Sequence, residues 1–306
     1  MIKQDQNKSS SKDLSIVIPV CNEAQNLEIL CKEIIFVIER LNLDYEIIFV
    51  EDGSKDDSFD ILCKLKIKFR QVVIIKHKMR NGQSRALFTG IDFSTGKIVI
   101  TMDADLQNDP EDIPLFIDKI KEGYDIVCSW RKMRKDPYLT MVLPSRIGNE
   151  ILSTLSGAKF HDFSCTFKAF KNAAAKQIAK KLYTNFHVFI PLICKKMNLN
   201  IFEVEINHKP RIHGISKYCF FKYIEAFRVF FMLSYIHLNN NNKKRYFAFS
   251  TICLFLGFFL FIIKLFALAI ILLLVSSLSF YTIKQNNKLI SLKMGLDWNI
   301  IDRIIN

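Results

Sequence analysis

The chain has 306 residues, with 43 Lys and Arg against 30 Asp and Glu, a formal net charge of +13, and hydrophobic residues making up 50%. That length holds one full α/β domain and an appendage. The hydrophobic share turns the basic excess away from nucleic acid and towards an anionic membrane surface or a phosphorylated substrate. The eight cysteines include no CxxC pair and no zinc spacing, so they read as small buried hydrophobes of a reducing compartment rather than a disulfide framework or metal knuckle.

Residues 1–13 are polar and expected to be disordered; they lack the apolar core of a signal peptide, which places the domain after them in the cytoplasm. From Leu14 to Trp130, apolar runs recur in the order "LSIVIPV", "YEIIFV", "VVIIKH", "KIVITM" and "YDIVCSW". Amphipathic helical stretches separate them, among them Ala24 to Leu41 and Asp56 to Phe69. This alternation predicts βαβ units and a mostly parallel sheet, in which ligands bind beyond the carboxyl ends of the strands. The first strand ends in "PVCNE" (Pro19 to Glu23), the second in "EDGSKDD" (Glu51 to Asp57) and the fourth in "DADLQNDPE" (Asp103 to Glu111). The first turn is not glycine-rich and no Walker loop occurs, so backbone amides of a glycine loop are not what would neutralise phosphates here.

Asp103 and Asp105 alternate with Ala104, so an extended backbone points both carboxylates to one side, with Gln107 next in line. Two carboxylates and an amide oxygen form a hard set suited to Mg²⁺ or Mn²⁺. An EF-hand is excluded, because Asn108 stands where that loop needs glycine and Pro114 where it needs glutamate. Metal ligands supplied only in part leave room for substrate oxygens, and a nucleotide diphosphate is the natural complement.

Residues 132–213 are less regular and strongly basic. Lys217 to Leu238 is aromatic-rich and reads either as an interfacial amphipathic helix or as a helix packed on the domain core. Tyr246 to Ile283 contains one charge, Lys264, and split there it gives two spans of minimal membrane length with basic residues on both flanks. The expected division is therefore 1–13, a catalytic domain at 14–213, juxtamembrane helices at 214–245, a two-helix membrane hairpin at 246–283 and a cytoplasmic tail at 284–306. In that tail a further surface helix is expected, with Trp298 as an anchor.

The segments "IVIPVCNEAQNL", "YEIIFVEDGSKDDS", "RNGQSRALFTGID", "DADLQNDPEDIP", "GYDIVCSWRKMRKDP", "LPSRIGNEILSTLSG", "HDFSCTFKAF" and "NHKPRIHGISKY" resemble, in this order, the family 2 glycosyltransferases of the dolichyl- and polyprenyl-phosphate type. The resemblance covers roughly Leu14 to Ile236. It implies an A-type glycosyltransferase fold (α/β, Rossmann-like) and inversion at the sugar carbon. By the same resemblance Pro19, Glu23, Asp52, Gly53, Ser54, Gln83 and Asp103 would line the nucleotide-sugar pocket. Asp103, Asp105 and Gln107 would hold the metal, and Arg131, Arg134, Arg211, Ser216 and Lys217 the phosphates of donor and acceptor. Asp105, Arg131 and Asp162 are the expected catalytic residues, Asp162 either orienting a substrate or capping the turn after it. Glu51, Arg85 and Val188 depart from the family pattern.

The implied reaction moves a sugar from a UDP- or GDP-sugar to a polyprenyl phosphate at the inner membrane, with the catalytic domain on the cytoplasmic side. A phosphate monoester, with a second pKa of about 6, needs no general base, in keeping with the lack of a poised His or Cys. Heavy use of Lys, Asn, Ile and Phe fits an AT-rich, bacterial genome and makes undecaprenyl phosphate the expected lipid. Two alternatives stay open: transfer to a diacylglycerol or saccharide hydroxyl, which would require a base such as Asp162, and a silent membrane scaffold that binds nucleotide. The sugar and the oligomeric state, a homo-oligomer included, are left open.

Overall fold

The computed structural model describes residues 11–132, 142, 145–146, 149–150, 153, 160–179, 190, 193–194, 197–209, 270, 273–277 and 301–305. All five predicted strands form: β1 (Leu14–Val20), β2 (Tyr45–Glu51), β3 (Val72–His77), β4 (Ile98–Thr101) and β5 (Ile126–Trp130). So do the two predicted helices, as α1 (Ala24–Glu39) and α2 (Ser58–Lys68). Three further helices are α3 (Gln83–Phe93), α4 (Ile113–Lys121) and α5 (Asn172–Ala179), and three further strands are β6 (Lys168–Lys171), β7 (Ile201–Glu205) and β8 (Ile301–Ile305).

The strands form one sheet in the order β7-β5-β6-β4-β1-β2-β3-β8. β1 to β5 and β7 run in one direction, while β6 and β8 run against their neighbours. All seven residues of β2 are buried, which is why its centre, Ile47 to Val50, reads as a continuous apolar run rather than an alternating one: a central strand is covered on both faces. One face, with Ile16, Ile18, Phe49 and Ile100, packs against Leu30, Ile34 and Ile38 of α1 and Phe116 and Ile117 of α4. The other face takes α3, whose Gly90 lies so close that a Cβ there would stand 2.3 Å from Val17 Cγ1 and 3.1 Å from Val50 Cγ2.

At the amino edge a buried carboxylate closes the sheet. Glu46 Oε1 accepts hydrogen bonds from Ser15 Oγ (2.6 Å), Thr95 N (2.7 Å) and Thr95 Oγ1 (2.8 Å). The described cysteines are all free thiols, with Cys31, Cys128, Cys165 and Cys194 buried, as expected of small core residues.

Two features differ from the sequence expectation. β6, absent from the strands read in the sequence, enters antiparallel between β4 and β5 and separates those two in the sheet. Where the end of the tail helix is expected, Ile301–Ile305 form β8 and pair with β3, while the rest of that tail, Trp298 included, lies outside the described residues. The physical reason is an available edge: the outer side of β3 presents unpaired backbone groups, and "IDRII" is rich in the β-branched residues that strands favour.

The chain divides into two compact units, Met1–Ile215 with Leu296–Asn306, and Ser216–Gly295. Of the second, only positions 270 and 273–277 are described, and they are helical. The expected amphipathic helix at 217–238 and nearly all of the expected hairpin at 246–283 lie outside the described residues. Among the described residues no helix is long and apolar enough to cross a membrane.

Gly90→Ala should lower unfolding stability by roughly 1–3 kcal/mol, since the added methyl meets stiff β-branched side chains on two strands. Urea denaturation of the purified chain checks this.

Candidate active site

Six strands bring their carboxyl ends to one rim of the sheet, and the acidic segments found in the sequence gather there. β1 lies between β2 and β4, so its end faces the crevice where successive connections diverge. The loop after β1 and the loop after β2 are bonded into one unit. Ser54 Oγ accepts from Asn22 N (3.0 Å), and Asn22 Oδ1 accepts from Lys55 N (2.7 Å). The first amides of α1 find acceptors on the neighbouring loop: Glu23 N donates to Ser58 Oγ (2.9 Å) and Ala24 N to Asp56 Oδ2 (3.1 Å). Helix starts leave such amides orphaned unless an acceptor is provided. The Glu23 carboxylate is half-buried and accepts from Asn26 Nδ2 at 2.7 Å.

Glu51 is buried and accepts from Ser54 N. Asp52, 3% exposed, accepts from His77 Nδ1 (2.8 Å), Asn81 N (2.8 Å) and Gly82 N (2.7 Å). Burial pushes its carboxyl up, but the bonds from His77 and the two amides outweigh that and hold it below the usual carboxylate value. His77 is also buried, and its Nε2 faces Thr89 Oγ1 of α3 at 3.0 Å. Asp52 therefore orders the turn into α3. Gly53, at φ +67°, is required beside it, because a Cβ would stand 2.6 Å from Arg80 N.

The aspartates after β4 point as the alternation predicts. Met102, Ala104, Leu106 and Asn108 are buried, while Asp103, Asp105 and Gln107 are partly open. Asp103 Oδ1 accepts from Gln83 Nε2 at 2.7 Å, and its Oδ2 accepts from Thr166 Oγ1. Asp105 Oδ1 accepts from Gln107 N at 3.2 Å, across a backbone that turns at Leu106 with φ +62°. Among the described residues no group of three or more His, Cys, Asp or Glu side chains is gathered for a metal. The oxygen set of Asp103, Asp105 and Gln107 nonetheless fits a hard divalent ion. It offers oxygens on one side, and the two side chains that donate to Asp103, Gln83 and Thr166, are neutral. It is also incomplete, as suits Mg²⁺, which keeps waters and substrate phosphates among its ligands.

The segment after β7 is laced to this loop. Lys209 N donates to Gln107 O at 2.9 Å, Asn108 pairs with His208 as an antiparallel bridge, and Lys209 Nζ lies 3.0 Å from Asp109 Oδ2. Asp112 sits under this lacing with a buried Oδ2 that lacks a partner. Burial, with Asp109 beside it, pushes its carboxyl up to about 6.

On the opposite side of β4, Arg131 at the end of β5 grips Asp162 from Nε (2.7 Å) and Nη2 (3.1 Å) and reaches Ser164 Oγ (2.8 Å). Asp162 Oδ1 also accepts from Ser164 N (3.1 Å), Ser164 Oγ (3.0 Å) and Cys165 N (3.2 Å). Of the two roles considered for Asp162, the turn cap is thus present, and its charge is matched by Arg131. Arg134, Arg211, Ser216, Lys217 and Val188 lie outside the described residues. The sequence reading passed over His77, Thr89, Thr166 and Lys168. The one signal for His77 was a histidine closing an otherwise apolar strand.

Residues 15–179 match the model of glycosyl transferase family 2. Among curated relatives, the dodecaprenyl-phosphate galacturonate synthase of Rhizobium johnstonii is 34% identical over 212 residues, 68% of this chain and 62% of that protein. The undecaprenyl-phosphate 4-deoxy-4-formamido-L-arabinose transferase of Edwardsiella ictaluri is 34% identical over 69% of this chain and 64% of its own length. The matched stretch thus spans less than two thirds of either relative. A crystal structure of Mycobacterium tuberculosis glucosyl-3-phosphoglycerate synthase with Mn²⁺, UDP and its product shares the fold, with a TM-score of 0.54, 17% identity, and coverage of 72% of this chain and 78% of that one.

The raised Asp112 value implies that its ionised form is a liability in the fold. The penalty is full above pH 6 and disappears as the pH falls through about 6 towards the ordinary 3.8. Asp112→Asn should therefore be more stable than the parent by roughly 1 kcal/mol at pH 8 and equal to it at pH 4, measured by urea titration at both values.

Proposed function

Because the chain belongs to glycosyl transferase family 2 and has its A-type α/β fold, we propose that it transfers a sugar, with inversion, from a nucleotide sugar to a polyprenyl phosphate. The observation that carries this reading is the division of the rim about Asp103: the hydrogen-bonded turns after β1 and β2 to one side, and the Arg131–Asp162 pair after β5 and before β6 on the other. Both named relatives act, by their names, on polyprenyl phosphates, which supports the same acceptor class here.

In this reading Pro19, Glu23 and the Asp52–Gly53–Ser54 turn line the nucleotide side. Asp52 carries three donors already, leaving about one of its four lone-pair directions for an N–H of the base. Asp103 and Asp105, with Gln107, would hold Mg²⁺ or Mn²⁺, which when bound would act as a Lewis acid towards the departing diphosphate; the glucosyl-3-phosphoglycerate synthase complex contains Mn²⁺ with UDP and so supports a divalent ion. Gln83 and Thr166 fix the Asp103 carboxylate before any substrate arrives. Arg131, Arg134, Arg211, Ser216 and Lys217 would face the phosphates, guanidinium forks being suited to two-point contact with phosphate oxygens.

The acceptor phosphate attacks the anomeric carbon from the face opposite the leaving nucleotide, and it brings its own negative charge. A hydroxyl acceptor would require a free carboxylate base. Asp162, the carboxylate considered for that task, is engaged by Arg131 and by three donors of its own turn. That geometry favours the phosphate acceptor. The apolar stretch 246–283 with its basic flanks supports attachment of the enzyme to the membrane that holds such a lipid, as a two-span hairpin with the catalytic unit on the cytoplasmic face.

The test uses the full chain with labelled UDP- and GDP-sugars and undecaprenyl phosphate. Label should enter an acid-labile lipid, stop entering it with EDTA, and resume with Mg²⁺ or Mn²⁺. Transfer confined to hydroxyl acceptors, or nucleotide binding without turnover, overturns the reading. Asp105→Ala should lower turnover by about a hundredfold or more with unchanged unfolding stability, because it removes an oxygen ligand and no core packing.

A further inference from the structure

Lys168 is an ammonium in the core of the catalytic unit, 1% exposed. It opens β6, opposite Thr101 of β4 and Cys128 of β5, so it sits at the same rim as the acidic loops. Thr166, two residues earlier on the same side of the extended chain, is the residue whose hydroxyl holds Asp103.

The carboxylates around it are already engaged. Asp162 is matched by Arg131 and Glu205 by Lys132, while Glu203 accepts from His161 N (2.9 Å) and lies 2.9 Å from His161 Nδ1. Asp103 receives Gln83 and Thr166. The thiols of Cys128, Cys165 and Cys194 all feel the Lys168 charge. Burial nonetheless pushes Cys128 up to about 12 and raises Cys165 and Cys194, so none of them is an anion at neutral pH. Among the described residues, no carboxylate forms an ion pair with Lys168. A buried cation without a counter-charge is costly, and a fold that retains one is poised to receive an anion.

We propose that Lys168 forms an anion subsite on the acceptor side of the active site, taking the phosphate monoester of the prenyl acceptor; this rests on the polyprenyl-phosphate reading above. Its position selects acceptor over donor. Lys168 opens β6 and Arg131 follows β5, on one side of β4, whereas the proposed nucleotide turns follow β1 and β2 on the other.

The experiment compares full-length wild type with Lys168→Met, Lys168→Gln and Lys168→Arg. The Met and Gln changes should each raise the apparent KM for undecaprenyl phosphate by about tenfold or more while leaving the nucleotide-sugar KM within about twofold, and Arg should restore most of the loss. Gln keeps a polar tip and covers a failure of the Met variant to fold. A short-chain prenyl phosphate should protect wild type but not Lys168→Met or Lys168→Gln from thermal unfolding, and UDP or GDP should protect all of them equally. An acceptor KM within about twofold of wild type in both variants overturns the subsite, as does loss of the nucleotide protection with the prenyl-phosphate protection kept. Wild type that transfers sugar alongside unchanged variants removes only the role of Lys168. Wild type that transfers nothing to the lipid removes the reaction as well.

Discussion

A carboxylate held from two sides before any ligand arrives is the point on which the rim of this sheet depends. Gln83, the first residue of α3, and Thr166, just ahead of β6, both donate to Asp103. One donor comes from the half of the unit that carries the loops after β1 and β2, the other from the half that carries Arg131 and Asp162. The bonds are to neutral groups, so the negative charge is positioned without being spent. A side chain fixed in this way loses little freedom when a cation or phosphate approaches, which is how preorganised sites gain their advantage.

The remaining charges follow the same economy. Asp52 is surrounded by donors and acts as the anchor of a turn. Asp162 is matched by Arg131. Asp103 and Asp105 follow the end of β4, and Lys168 opens β6 opposite Thr101 on the neighbouring strand. A chain of charge +13 with an acidic centre is thereby no contradiction.

Much of this was legible beforehand because it is local. Strands buried on both faces announce themselves as apolar runs, and "DADLQ" declares its alternation without help from the fold. Four of the described cysteines, Cys31, Cys128, Cys165 and Cys194, are the small buried core residues that their spacing suggested. What could not be read were relations across long stretches of chain. β6 is four residues long and gives too little periodicity to be placed antiparallel between β4 and β5. The Asp52–His77–Thr89 chain joins three segments whose proximity only the sheet creates. Lys168, read in sequence, is one lysine among many in a basic chain, and its burial is a property of register. The return of Ile301–Ile305 to β3 was missed for a similar reason: a short β-branched segment becomes a strand only where an edge awaits it.

That return has a consequence for connectivity. The polypeptide leaves the catalytic unit after Ile215 and rejoins it at Leu296, so the intervening excursion is anchored at both extremities to one body.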